Sequence, residues 1–175
     1  MYPLSTTVRG HPQQTDQKEN TKIAPITFGR LRTSAGRVKE SRLKTIKILF
    51  DSGASETIIQ SSLVKNLKSQ KTQKQQWNTA AGKIQTSKLA KLMFNLPEFY
   101  ESKIVQCWAH VFEAKLNYDM IIGRDLMMQL GININFKNQT INWLDAEVPM
   151  RNPHSTTNEF FIQETGIVED AMTRV

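Results

Sequence analysis

Ile46-Lys47-Ile48-Leu49-Phe50-Asp51-Ser52-Gly53 decides the reading of this chain. Its first five residues are mostly aliphatic or aromatic and fit a buried strand. The run ends on a carboxylate and then on serine and glycine. Ser52 can hydrogen-bond locally, and Gly53 lets the backbone fold back without a Cβ clash. A strand therefore delivers Asp51 into a tight turn. Further on, Tyr118-Asp119-Met120-Ile121-Ile122-Gly123-Arg124-Asp125-Leu126 gives a second apolar strand that ends in glycine and runs into a helix.

Short apolar segments surround these two features. Residues 23–32 and 43–50 read as strands joined through Ser34-Ala35-Gly36, and Thr57-Ile58-Ile59 is a short β-branched segment. Residues 61–67 predict a brief helical turn capped by a serine. Residues 75–79 and 83–89 flank Ala80-Ala81-Gly82, a hairpin signature. Strands follow at 91–96, 104–112 and 120–122. A helix over 124–130 stops at Gly131, and alternating residues 132–136 turn through 137–139 into a strand over 140–143. Many short strands and one late helix argue for a small, mainly β domain with barrel-like closure.

The 175 residues suit one domain with polar ends, and 39% apolar content fits a modest core. Residues 1–22 are expected as a disordered or linker segment, 23–145 as the folded domain and 146–175 as a second linker whose last residues form a weak amphipathic helix. No stretch has the length to span a bilayer, and the first twenty residues lack the apolar middle of a signal peptide. The expected location is the cytoplasm or a particle assembled there. Cys107 is the single cysteine, which excludes an intrachain disulfide and a cysteine-based zinc site; its apolar run predicts a buried, inert thiol.

The net charge is +7 and unevenly spread. Arg30, Arg32, Arg37, Lys39, Arg42, Lys44 and Lys47 face only Glu40. From Thr57 to Pro97 there is no acid, while Lys65, Lys68, Lys71, Lys74, Lys83, Lys88 and Lys91 accumulate. Such charge attracts nucleic acid or acidic substrates. No aromatics interleave as stacking platforms and no nucleic-acid motif is present, so a solvated basic surface is the favoured reading.

Carboxylate-driven amide hydrolysis needs two carboxylates sharing one proton. One activates a water, while the other donates a hydrogen bond to the carbonyl. Two like charges about 3 Å apart cannot both ionise, so the pair titrates in two separated steps. This chain offers one Asp on a suitable turn, and a second copy would supply the other across a two-fold axis. Taken alone, Asp-Ser-Gly is more often an ordinary turn. An aspartyl-phosphate site would want a second acid at the position of Gly53. His11, His110 and His154 form no metal constellation, and His110 reads as structural.

Phe50-Asp51-Ser52-Gly53-Ala54-Ser55 resembles the active-site loop of retropepsin-type aspartic proteases, and residues 121–132 resemble their second signature. The resemblance covers residues 23–144, and the closing hairpin is most similar to that of gypsy-type retrotransposon proteases. It implies a homodimeric aspartic endopeptidase that cleaves extended peptide, processes a retrotransposon polyprotein and uses no cofactor or metal. By position, Asp51, Ser52 and Gly53 are the catalytic residues. Ala54, Ala80, Ala81, Gly82, Ile121 and Ile122 are substrate-binding candidates, with Ala80-Ala81-Gly82 at the tip of a mobile flap. Residues 132–136 are expected in an intersubunit sheet. One departure stands out: Ser55 replaces the usual Asp, so Arg124 is expected to find its partner in Glu56 or Asp125. A catalytically silent dimerisation or peptide-binding module is the alternative reading. Nucleic acid ranks below polypeptide as a partner, and no membrane is implied.

Overall fold

The computed structural model describes residues 22–34, 42–79 and 82–155. Ten strands and one α-helix follow in order: β1 Ile26–Arg32, β2 Leu43–Phe50, β3 Ile58–Gln60, β4 Ser69–Thr79, β5 Gly82–Asn95, β6 Ile104–Phe112, β7 Met120–Ile122, α1 Arg124–Leu130, β8 Ile132–Asn135, β9 Thr140–Trp143 and β10 Ala146–Pro149. Residues 1–21, the turn at Ala35-Gly36, the hairpin residues Ala80 and Ala81, and residues 156–175 with the expected amphipathic helix lie outside the described residues.

Seven strands form one sheet in the order β1-β2-β7-β3-β6-β5-β4. β1 also pairs with β5 at Arg30↔Asn95 and Leu31↔Phe94. The pairings therefore run round a ring of six strands, with β4 outside it. The mainly β expectation holds, and the ring has a sequence cause. Both faces of β7 and of the end of β2, Ile48–Phe50, are apolar, as befits strands in parallel pairing and covered on either side. Ile46, Ile48, Phe50, Met120 and Ile122 point into the main core with Leu92, Leu126 and Trp143. Leu49 and Ile121 point the other way, into a smaller cluster with Ile26, Ala54, Ile58, Ile84 and Phe112. Burying a side chain such as Phe50 contributes about 1.5–3 kcal/mol.

Several elements differ from expectation. The two strands expected at 83–89 and 91–96 are one continuous strand, β5, bulged between Thr86 and Leu89 against β6. A bulge bends a strand without ending it. The turn after β3 is a short 3-10 segment, Ser61–Leu63, and no side chain caps it. Helix α1 ends at Gly131, as expected.

Residues 146–151, expected to open a linker, continue the fold. β10 pairs with β9, and Val148 is buried. Proline is tolerated there because β10 is an edge strand. Beyond it, Ala24 and Arg151 exchange backbone hydrogen bonds of 2.9 and 3.1 Å. The Arg151 side chain contacts Glu98 and lies 5.1 Å from the Phe28 ring centre. Glu98 also accepts from Thr27 Oγ1 at 2.9 Å and Phe28 N at 3.1 Å.

Candidate active site

Asp51 stands at the C-terminal end of β2, where the strand leaves the sheet. Its N–H donates to the Ile122 carbonyl at 2.9 Å, continuing the parallel β2–β7 pairing by one residue. Its Oδ1 accepts from Gly53 N at 2.9 Å, and its carbonyl accepts from Ala54 N at 3.1 Å. This is an Asx-type turn, the conformation that Asp and Gly favour together. Asp51 is half-buried, Ser52 and Gly53 are exposed, and Ala54 is buried. The carboxylate therefore sits on a surface turn held by strand pairing on one side and by its own hydrogen bond on the other.

The turn is braced from behind. Arg124 N donates to the Ala54 carbonyl at 2.8 Å, and Asp125 N to the Ser55 carbonyl at 3.2 Å. Thr57 completes the brace. Its N and Oγ1 donate to the two oxygens of Asp125 at 3.1 and 2.8 Å, and its Oγ1 accepts from Gly123 N at 3.2 Å. Gly123 is where the two segments come closest. A Cβ built there would lie 2.6 Å from the carbonyl carbon and oxygen of Glu56 and 2.9 Å from the Ala54 carbonyl. Only glycine allows that approach.

The structure sorts the candidate residues. Ile121 joins the small cluster with Ala54 and Ile84, on the side of the turn and the hairpin. The side chain of Ile122 belongs to the main core, because adjacent residues of a strand face opposite ways. Gly82 opens β5 with φ of +121°, a backbone region that suits glycine, and its carbonyl accepts from Thr79 Oγ1 at 2.8 Å. Ala80 and Ala81 lie outside the described residues. The expected acids for Arg124 are engaged elsewhere: Glu56 contacts His110 and Asp125 binds Thr57. Arg124 itself is exposed at the helix start, so it needs no buried counter-charge. Among the described residues no acid pairs with it.

Thr57, Asp125 and the Glu56–His110 contact were not legible as site residues. The available signal was a hydroxyl residue two places after the departure at Ser55, facing an acid two places after Gly123. Cys107, on β6, is half-buried; burial, with the charge of Asp125 adding to it, pushes its thiol up to about 12. The basic segment places Lys65, Lys74, Lys83 and Lys88 around one open groove of about 570 Å³ beside the hairpin, with Glu113 as its one acid. Asp51 does not line it. No helix among the described residues is long and apolar enough to cross a membrane.

The sequence profile of retroviral aspartyl proteases matches residues 31–135, more than half of the chain. The chain belongs to the retroviral aspartyl protease family. The retroviral protease-like domain of Ddi1 from Leishmania major has the same fold, with a TM-score of 0.53 at 15% identity over 77% of this chain and 99% of that one. The EIAV protease, solved in complex with the inhibitor HBY-793, aligns at a TM-score of 0.45 and 16% identity over 67% of this chain and 97% of its own. No curated protein matches the sequence. The mainly β, retropepsin-like fold is thus established for this retroviral aspartyl protease relative, and the braced Asp51 turn lies within the matched region.

Proposed function

We propose that the chain is a homodimeric aspartic endopeptidase in which Asp51 of each copy forms half of the catalytic pair. The observation that carries this reading is the Asp51 turn, half-buried at a strand end and fixed from behind by Gly123, Thr57 and Asp125. A carboxylate in a general acid–base pair must be held still. Here the brace acts through backbone groups and through Asp125, and Asp51 Oδ1 accepts from Gly53 N within the turn itself.

In the dimer the two Asp51 side chains share one proton. One takes a proton from the attacking water, while the other gives its proton to the scissile carbonyl oxygen. Ser52 is placed to bridge the two turns, and Gly53 and Ala54 present backbone groups to the substrate. The β4–β5 hairpin closes over an extended peptide, which adds as a strand beneath it. The substrate is proposed to be a retroelement polyprotein, with the work done in the cytoplasm or in a particle assembled there.

Cleavage tests this. Wild-type chain and Asp51→Asn are incubated with a pool of extended peptides near pH 5, with and without a transition-state-mimicking aspartic protease inhibitor. Cleavage that falls to background in Asp51→Asn and is blocked by the inhibitor supports the pair. Absence of cleavage by a verified dimer would instead favour a silent binding module.

A further inference from the structure

We propose that His110 is a positioning residue that ties the flap hairpin to the Asp51 loop, holding Trp77 on one side and Glu56 on the other. Its effect on turnover rests on the protease reading above; its physical core does not.

His110 lies on β6, opposite Ile58 of β3 and Leu89 of β5. It is 9% exposed. Its N–H donates to the Thr57 carbonyl at 3.0 Å, so the backbone joins the residue that braces the loop. Its ring lies 4.9 Å from the Trp77 ring at 51°. Its Nε2 contacts Glu56 Oε2, on the loop just before Thr57. Trp77 is held in turn: its Nε1 donates to Thr86 Oγ1 at 2.7 Å, and it pairs across the hairpin with Ile84, two residues from the end of β4. One imidazole therefore touches both the moving hairpin and the loop that carries Asp51.

The ring is held by packing, by its own strand and by the Nε2–Glu56 contact, while Nδ1 is buried with no hydrogen-bond partner. The neighbours on β3 and β5, Ile58, Leu89 and Thr86, carry no charge, and Trp77 on β4 is neutral. Glu56 is the charged group in contact with the ring among the described residues.

Trp77 reports the contact without any reference to catalysis, because its indole emission responds to the ring packed against it. Emission and amide hydrogen exchange are read in the Asp51→Asn background, which removes self-digestion. His110→Gln is expected to shift the Trp77 emission, a change that is lost when Trp77→Phe is added, and exchange over residues 51–57 is expected to rise several-fold in His110→Gln and in Trp77→Phe. Unchanged emission in His110→Gln, or unchanged exchange over residues 51–57 in either single variant, overturns the proposal. Trp77 is a half-buried hairpin residue, so its variant keeps the test open if His110→Gln fails to fold. With the active chain, His110→Gln is expected to raise KM several-fold while kcat changes less. If no peptide is cleaved at all but emission and exchange behave as expected, the protease reading fails and the tie between hairpin and loop stands.

Discussion

At the scale of single residues, the site is defined more by what supports Asp51 than by Asp51 itself. Gly123→Ala would press a methyl group against the backbone of Glu56 and Ala54, which cannot yield as a flexible side chain would. Overpacking of this kind costs about 1–3 kcal/mol; urea unfolding is expected to show that loss, and activity should fall further because the Asp51 turn is displaced. Thr57→Val keeps the shape but leaves the Gly123 N–H and an Asp125 oxygen without the hydroxyl. The expected loss is about 1–3 kcal/mol, again read from denaturant midpoints. Cys107 gives a prediction with a sign. Its thiol keeps its proton to about 12 when folded, against an ordinary 9.0. Between those values the unfolded chain has already lost the proton and the folded chain has not, so the group's contribution is full below pH 9.0 and erodes as pH climbs toward 12. At neutral pH iodoacetamide should label native Cys107 far more slowly than the urea-unfolded chain.

At the scale of elements, the sequence was most legible where local chemistry and tertiary role agree. The strand into Asp51 and the helix stopping at Gly131 carry their signals within a few residues, and both lie where the residues placed them. β5 reads as two strands, 83–89 and 91–96, yet it runs unbroken through Ala90, and its irregularity lies earlier, as a bulge between Thr86 and Leu89 that only the partner strand β6 reveals. β10 was missed because Val148 is its one fully buried apolar residue and Pro149 ends it, a pattern that fits an edge strand only once β9 is known to lie beside it. The Glu56–His110–Trp77 contact joins three segments distant in sequence and leaves no spacing to read. Ile121 and Ile122 are both expected on a strand that packs the core and lines the cleft, and their side chains divide between the small cluster and the main core because adjacent residues of a strand face opposite ways. The hairpin carries its own prediction. Gly82→Val forces a β-branched residue to φ of +121°, a strain of about 1–3 kcal/mol. In a peptide-cleavage assay it should raise KM by disturbing the start of β5 while the global unfolding midpoint moves little.

At the scale of the whole molecule, the β8–β9–β10 sheet has an outer edge at β8, and Phe136, Met128 and Leu144 are 68%, 81% and 59% exposed around it. Apolar surface on these segments is what the proposed pairing of two copies would cover. Replacing Ile134 and Phe136 with lysine is expected to shift sedimentation from dimer to monomer and to abolish cleavage without unfolding the monomer. A tight dimer in that variant would sink the assignment of the interface to this sheet. The bridge between Ala24 and Arg151, clamped by Glu98, has a consequence of a different kind. The two ends of the described fold therefore meet at one point, like a loop drawn shut by a cord. Such a domain can be inserted into a longer polypeptide without stretching what flanks it, and the two flanks are held side by side whichever protein carries them.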